Sequence, residues 1–150
     1  MTADVSESVD LRTRFEAIID AITTGRLADL DGLIRYDMVD HNLVPGQGDG
    51  LVGLKYWAEG LHGALPDLTA SVEDILVDAD KIAARVMFAG TNSGDLMGVL
   101  ATDAYLEFES FFILEFTDGV VTQWWDASNV MGALRTVGAR LTFPSAPGEL

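Results

Sequence analysis

The sequence predicts an α+β domain in which helices cover one face of a curved mixed or antiparallel sheet. Apolar residues recur at helical spacing in the first half of the chain, whereas the second half contains four long strand-like segments. Helices followed by a meander of strands are typical of this class, and 150 residues suffice for one core. We therefore expect a single domain over residues 1–150, with loose tails at 1–8 and 141–150.

Three helices are predicted before the sheet. The first presents five apolar residues on one face: Leu11, Phe15, Ile18, Ile19 and Ile22. Gly25 is expected to end it, and a second short helix is expected over residues 27–34. Residues 40–50 are rich in Gly, Pro and Asn and predict a loop. The third helix, closed by Pro66, has its own apolar face: Leu54, Trp57, Ala58, Leu61 and Leu65.

Four strands and a last helix are predicted after residue 67. The strand-like segments are Leu68–Val77, Lys81–Thr91, Ala104–Phe116 and Val120–Asp126. Asp118-Gly119 is a strong signal for a tight hairpin turn between the last two. A final helix is expected over Val130–Val137, introduced by Ser128 or Asn129.

The alternation of side chains along a strand assigns each residue to one of two faces. In the third strand one face is almost wholly apolar: Leu106, Phe108, Ser110, Phe112, Leu114 and Phe116. In the last strand Trp124 lies with Asp126, and in the second strand Arg85 lies with Met87. We expect these three faces to converge beneath the helices, which would enclose Arg85, Ser110 and Asp126.

Composition and charge exclude several classes of function. The net charge of −15 repels phosphate backbones and anionic lipid, so we expect neither nucleic-acid nor membrane binding. The absence of cysteine excludes disulfides, thiolate metal sites and cysteine nucleophiles. The stretch MTADVSESVD has no features of a signal peptide, and we expect a cytoplasmic protein. The glycines of residues 48–53 match G-x-G-x-x-G, but a Pro-containing loop precedes them where a dinucleotide site needs a strand.

Four sequence patterns follow one another in a specific order. They are DHN-x-x-PGQG at Asp40–Gly48, PDL at Pro66–Leu68, G-x-x-x-G-x-x-MG at Gly90–Gly98, and DG-x-x-x-x-WW-x at Asp118–Asp126. Together, over roughly residues 10–138, they resemble the SnoaL-like polyketide cyclases of the nuclear transport factor 2-like superfamily. The resemblance implies a cone-shaped fold, and ring closure of polyketides by intramolecular aldol condensation without a metal or organic cofactor.

The resemblance also implies which residues carry the chemistry. The catalytic aspartate of these cyclases lies near the end of the last strand, where this sequence has Asp126. Their pocket Gln and His correspond to Ser110, Phe112 and Trp124 here, so the polar network is thinner. Relatives of the same shape include polyketide hydroxylases and cofactor-free isomerases. Epoxide hydrolases of this fold share Arg85 and Asp126 but need a second aspartate, where this chain has Met87.

Asp126 is the candidate acid–base residue. Burial among Trp124, Phe108, Phe112 and Met87 would raise the pKa of its carboxyl and suit it to abstract and return a proton. The alternative is that Asp126 caps or precedes the last helix.

Arg85 and His41 are the candidates for holding a substrate oxygen. Arg85 could stabilise an oxyanion, or else form an ion pair with an acidic residue at the sheet edge. His41 could donate to a substrate carbonyl, or else serve only as a structural loop residue.

The expected ligand is a hydrophobic polycyclic or polyketide-like molecule. The expected contact residues are Trp57, Leu61, Met87, Phe108, Ser110, Phe112 and Trp124. A cofactor-free cyclase or isomerase is the leading hypothesis, with a hydroxylase-like enzyme or a non-catalytic carrier as alternatives. A homo-oligomer, dimer or tetramer, joined through the outer face of the sheet would suit this fold.

Overall fold

The computed structural model describes residues 5–140, with side chains described from Asp10 onward. The first half contains helix α1 (Val5–Thr24), a 3-10 helix (Leu27–Gly32), strand β1 (Ile34–Asp40) and helix α2 (Gly50–Ala64). The second half contains strands β2 (Thr69–Asp78), β3 (Lys81–Thr91), β4 (Tyr105–Thr117) and β5 (Val120–Ser128), then helix α3 (Val130–Thr136).

The five strands form one mixed sheet in the order β1-β5-β4-β3-β2. Strand β1 runs parallel to β5, and the other neighbours are antiparallel. At the β4–β5 turn Asp118 and Gly119 both adopt positive φ, 51° and 80°, as a tight hairpin of right-handed twist requires. The predicted α+β class and the predicted hairpin are thereby confirmed.

Two boundaries near the start of the chain differ from the prediction. Helix α1 begins at Val5, so part of the tail expected over residues 1–8 is helical; this stretch has no Gly or Pro to stop a helix. Residues 1–4 and the expected tail at 141–150 lie outside the described residues.

The helix predicted over residues 27–34 is also wrong in part. A short 3-10 turn ends at Gly32, and Ile34 opens β1. This strand lies at the sheet edge, and its central residues Arg35, Tyr36 and Asp37 are exposed. With polar residues on an unpaired edge, β1 lacks the apolar alternation by which strands are recognised.

The inner face of the sheet holds the core beneath α1 and α2. Phe112 of β4 is at its centre, with ring centroids 5.8 Å from Phe15, 6.5 Å from Phe88 and 5.6 Å from Trp124. Edge-to-face packing of this kind adds to the free energy of burying the rings. The face predicted for β4 and the inward direction predicted for Trp124 are confirmed.

The face predicted for β3 is wrong. Arg85 pairs in register with Phe111, and Met87 pairs with Glu109, so both belong to the outer face. The inward residues of β3 are the other alternating set: Ile82, Ala84, Val86, Phe88 and Gly90. Arg85 Nε donates to Asp74 at 2.8 Å and its Nη1 donates to Glu109 at 3.0 Å. An inward guanidinium would lose its hydration without these partners, at a large free-energy cost.

Along the described stretch of the chain, the helices are all too short or too polar to cross a lipid bilayer.

Candidate functional site

Asp126 lies near the end of β5, on the inner face beside Trp124. Its Oδ1 accepts a hydrogen bond from the Trp124 indole Nε1 at 3.1 Å, and Phe112 is its register partner on β4. It does not cap the last helix, because the amide of Val130 donates to Ser128 Oγ at 3.1 Å instead. The capping alternative is therefore excluded, and the carboxylate faces the interior.

A second carboxylate, Asp40, ends strand β1 next to this position. Because β1 and β5 are parallel, their carboxyl ends meet at one edge of the sheet, and Asp40 pairs in register with Trp124. Its Oδ1 accepts the amide N–H of Asn42 at 2.9 Å, and its Oδ2 accepts Gln47 Nε2, also at 2.9 Å.

Sequence reasoning missed Asp40 as a site residue. The signal was present in the Asp40-His41-Asn42 triplet, but residues 34–40 were not recognised as a strand. Without β1 there was no reason to place the start of this loop beside the end of β5.

The loop that follows β1 connects both carboxylates. Asn42 Oδ1 accepts the backbone N–H of Asp126 at 3.0 Å, while the backbone N–H of Asn42 donates to Asp40 Oδ1. Gln47 Oε1 accepts the amide of Val44 at 3.1 Å, which orients the Gln47 side chain toward Asp40. The two carboxylates are therefore held by one network of side-chain and backbone hydrogen bonds.

The environment of Asp126 raises its pKa to about 6. The largest cause is burial, which removes water from the charged form, and the second is the negative charge of Asp40. The hydrogen bond from Trp124 favours the charged form and opposes part of this rise. A carboxyl group with this pKa can both accept and return a proton near neutral pH.

Two cavities share Trp57, and the smaller one includes Asp126. The smaller has a free volume of about 10 Å³, room for about one water molecule. It is lined by Asp40, Asn42, Gln47, Leu54, Trp57, Trp124 and Asp126. The larger is a groove of about 650 Å³, within the range of small-molecule sites. It is lined by Val44, Pro45, Tyr56, Trp57, Glu59, Gly60, Leu61 and residues 95–98.

Trp57 of α2 is the residue that lines both cavities. Its side chain is therefore common to the groove and to the cavity of the carboxylates. Its indole N–H donates no hydrogen bond to another residue between Asp10 and Arg140. Leu61, one turn further along α2, lines the groove only.

The two loops that border the groove both pack closely on α2. A methyl group on Gly53 would lie 1.7 Å from the carbonyl oxygen of Gly48 in the first loop. A methyl group on Gly94 of the second loop would lie 2.4 Å from the carbonyl oxygen of Gly63. Only glycine permits these approaches, so backbone contacts hold both loops against one helix.

The other residues predicted for the site are distributed over both faces. Phe108 and Phe112 are buried in the core behind Trp124, and Ser110 is buried on the same face, but neither cavity includes them. Met87 is on the outer face with Arg85, for the reason given above.

His41 lies on the outer face as well. Its ring stacks on Trp125 with centroids 4.3 Å apart and planes at 2°, and its Nε2 is 2.7 Å from Gln123 Oε1. Because consecutive residues alternate between faces at the strand end, the inward direction of Asp40 turns His41 outward. The expected grouping of Asp126 with His41 and Arg85 is therefore absent.

Between Asp10 and Arg140, no three His, Asp or Glu side chains are arranged to hold a metal ion. The lining of the small cavity combines two carboxylates with two amides and two indoles, and it includes no basic side chain. Such a set can exchange protons with a bound molecule and donate neutral hydrogen bonds to it.

The comparison with models of protein families identifies one family. The family model described as SnoaL-like polyketide cyclase matches residues 10–137. No curated protein matches the sequence significantly.

Solved structures share the architecture over nearly the whole chain. TsrD from Streptomyces laurentii is 23% identical with a TM-score of 0.80, over 91% of this chain and 98% of that one. IdmH from Streptomyces antibioticus, named as a candidate polyketide cyclase, is 27% identical with a TM-score of 0.74, over 85% and 98%. AclR from Streptomyces galilaeus, named as a candidate hydroxylase, is 24% identical with a TM-score of 0.74, over 93% and 86%.

Proposed function

The chain belongs to the SnoaL-like polyketide cyclase family, and from this premise we propose that it is a cofactor-independent cyclase. It would close a ring in a hydrophobic, polyketide-like substrate by intramolecular aldol condensation. Asp126 serves as the base and then as the acid. The observation that carries the proposal is the buried position of Asp126, with a pKa raised to about 6, in a small cavity that shares Trp57 with a groove large enough for a polycyclic ligand.

The reaction needs one proton carrier and no oxidant. The ionised Asp126 removes a proton from a carbon next to a substrate carbonyl, which leaves an enolate. The enolate carbon attacks a second carbonyl of the same molecule and forms the new carbon–carbon bond. The resulting alkoxide takes the proton back from Asp126 and becomes a hydroxyl group, so that the carboxylate is restored.

Trp57 is the proposed donor to the substrate oxygen. His41 and Arg85 lie on the other face of the sheet, which removes them from this role. Trp57 lines both cavities, and its indole N–H has no other partner among the described residues, so it would be free to donate to a carbonyl bound near Asp126. A neutral donor assists the developing negative charge without lowering the pKa of Asp126 as a guanidinium would.

The groove favours an uncharged substrate. Its walls are largely apolar, and its two ionisable residues, Glu59 and Asp95, are acidic. An acidic lining on a protein of net charge −15 repels carboxylates and phosphates. An aromatic ketone or ester therefore fits the groove better than a free polyketide acid.

The decisive test compares two aspartate variants on a polycyclic aromatic β-keto ester in D₂O. We expect Asp126→Asn to reduce the enzyme-dependent exchange of the α-proton, followed by NMR, by at least ~100-fold. Asp78→Asn, which removes an exposed charge at the far end of β2, should exchange at the wild-type rate. Full exchange by Asp126→Asn would disprove the assignment of the base.

The same experiment separates the alternatives. A non-catalytic carrier would bind the ester tightly in both variants and accelerate exchange in neither. A hydroxylase-like enzyme would give a product that contains an added oxygen atom and forms only in the presence of O₂. A ring-closed isomer of unchanged mass supports the cyclase.

The protein is also proposed to form a homo-oligomer through the outer face of the sheet. Phe111 and Ile113 of β4 are 51% and 48% exposed there, beside Trp125. Burial of these side chains against a second copy would remove apolar surface from water. Native mass spectrometry and the Phe111→Glu variant test this proposal, since a charge at that position should yield monomers.

A further inference from the structure

The second carboxylate of the site, Asp40, has no part in the reaction proposed above, yet its side chain is held in place by two hydrogen bonds. Each Asp40 oxygen accepts one hydrogen bond, from Asn42 and from Gln47. Asn42 also binds the backbone of Asp126, so the same residue positions both acids. A carboxylate that only ended an edge strand would need none of these partners.

Asp40 is also the one ionisable group that faces Asp126 across the small cavity. Strand β4 contributes Phe112 opposite Asp126, β5 contributes Trp124, and α2 contributes Leu54 and Trp57. The loop after β1 contributes two amides, Asn42 and Gln47. Among the described residues that line this cavity with Asp126, the only other charged group is therefore Asp40.

We propose that Asp40 is a positioning residue that acts on the reaction through Asp126. Its anchored negative charge favours the proton-bound form of Asp126 and thereby sets the pH range in which that residue works as a base. The inference rests on the proposed function for its consequence in catalysis. The electrostatic link between the two carboxylates can be measured without any substrate.

The reason for such an arrangement follows from the strength of bases. A carboxylate that holds its proton more tightly is a stronger base toward a carbon acid, and this strength must be available in a site without a cation. Burial supplies part of it, but deeper burial would close the site to the substrate. A fixed like charge that lines the same small cavity as Asp126 supplies more while the groove stays open.

The test replaces Asp40 and follows Asp126 directly. Carboxyl ¹³C NMR titrations, with the Asp126 signal assigned by its absence in Asp126→Asn, give the titration midpoint in the wild type and in Asp40→Asn. The control is Asp37→Asn, which removes an exposed aspartate from the same strand. We expect a lower midpoint in Asp40→Asn and an unchanged one in Asp37→Asn.

The rate profile should follow the NMR result. If the midpoint falls from about 6 by half to one pH unit, the rate at pH 5, relative to the plateau, rises roughly threefold to fivefold. The plateau rate should fall about two- to threefold, because the base is weaker. Asp40→Glu keeps the charge and should restore a midpoint closer to that of the wild type, which a purely structural role would not require.

Failure of this inference is distinguishable from failure of the proposed function. An unchanged Asp126 midpoint in a folded Asp40→Asn protein overturns the role of Asp40, whatever the activity. If Asp40→Asn does not fold, Asp40→Ser is titrated in its place, and an Asp126 midpoint there that equals the wild-type value overturns it. If the Asp126 midpoint falls in Asp40→Asn as expected but the wild type shows no turnover, the electrostatic link is upheld and the proposed cyclase activity is refuted.

Discussion

The two faces of the sheet treat charge in opposite ways. On the outer face the guanidinium of Arg85 lies between the carboxylates of Asp74 and Glu109, at 2.7 and 3.0 Å. On the inner face Asp126 has no cation, and its nearest ionised neighbour is another carboxylate, Asp40. Ion pairs at a surface change the free energy of unfolding very little. A buried carboxylate without a cation partner lowers that free energy, and such groups are concentrated at functional sites.

The same contrast appears in two adjacent aromatic residues of β4. Phe112 is 2% exposed and contacts three aromatic rings of the core. Phe111 is 51% exposed on the outer face. The two residues share a strand and a side-chain type, and they differ only in the face to which the backbone directs them.

The largest expected difference in stability between the faces is at this pair. Phe112→Ala should lower the free energy of unfolding by about 3–5 kcal/mol, because it leaves a cavity among rigid aromatic rings. Phe111→Ala should lower it by less than about 1 kcal/mol in the monomer. Urea unfolding of both variants at pH 7 measures the difference. Equal losses would mean that the outer face is as well buried as the core, as in a tight oligomer.

A smaller effect on the free energy of unfolding is expected from the buried charge of Asp126. Because the pKa of Asp126 is about 6 when folded and 3.8 in the reference state, the folded protein binds more protons between these two values. The free energy of unfolding therefore falls as pH rises from about 4 to 6, and the loss is complete above pH 6. The full difference corresponds to about 3 kcal/mol, which partial exposure to solvent reduces to about 1–2 kcal/mol.

Replacement of Asp126 by Asn removes the stability loss that accompanies ionisation of Asp126. We expect Asp126→Asn to be more stable than the wild type by about 1–2 kcal/mol at pH 8, and to differ little from it at pH 4. Urea unfolding at the two pH values measures this, with Asp78→Asn as the variant whose difference should not depend on pH. Greater stability combined with lost turnover would identify a carboxylate kept for chemistry. Lower stability at pH 8 would contradict it.

The smallest effect is expected at the outer ion pairs. Arg85→Gln should leave turnover and the pH profile unchanged, because the guanidinium faces away from Asp126. The urea midpoint should also stay close to that of the wild type, since the partners of Arg85 are solvated acids. A large loss of turnover in this variant would return Arg85 to the catalytic site and contradict the face assigned to β3.

The sequence predicted the elements with clear apolar alternation and missed those without it. Strand β4 has large apolar side chains at every second position except Ser110, so its inward face was predictable. Strand β3 carries small or apolar residues on both faces, and only the register with β4 places Arg85 outside. Strand β1 is a polar edge strand, and without it Asp40 had no neighbour in the sequence that pointed to the site.

The inward position of Asp126 could be predicted because it shares a face with Trp124 on the last strand. The neighbouring carboxylate could not, because Asp40 and Asp126 are 86 positions apart and come together through a parallel pairing. Long-range parallel contacts leave no local periodicity in a sequence. The same limit explains why His41, next to Asp40, was a plausible but incorrect choice.

The glycine contacts of α2 bear on how a new substrate range could be engineered. Since Gly53 of α2 touches the first bordering loop and Gly94 of the second loop touches α2, both positions must stay glycine when a loop is grafted from a relative. The exposed side chains that line the groove, Tyr56 and Met97, are free to vary in size. The groove can therefore be reshaped for other ligands by side-chain replacement, while its frame and the two carboxylates of the small cavity remain unchanged.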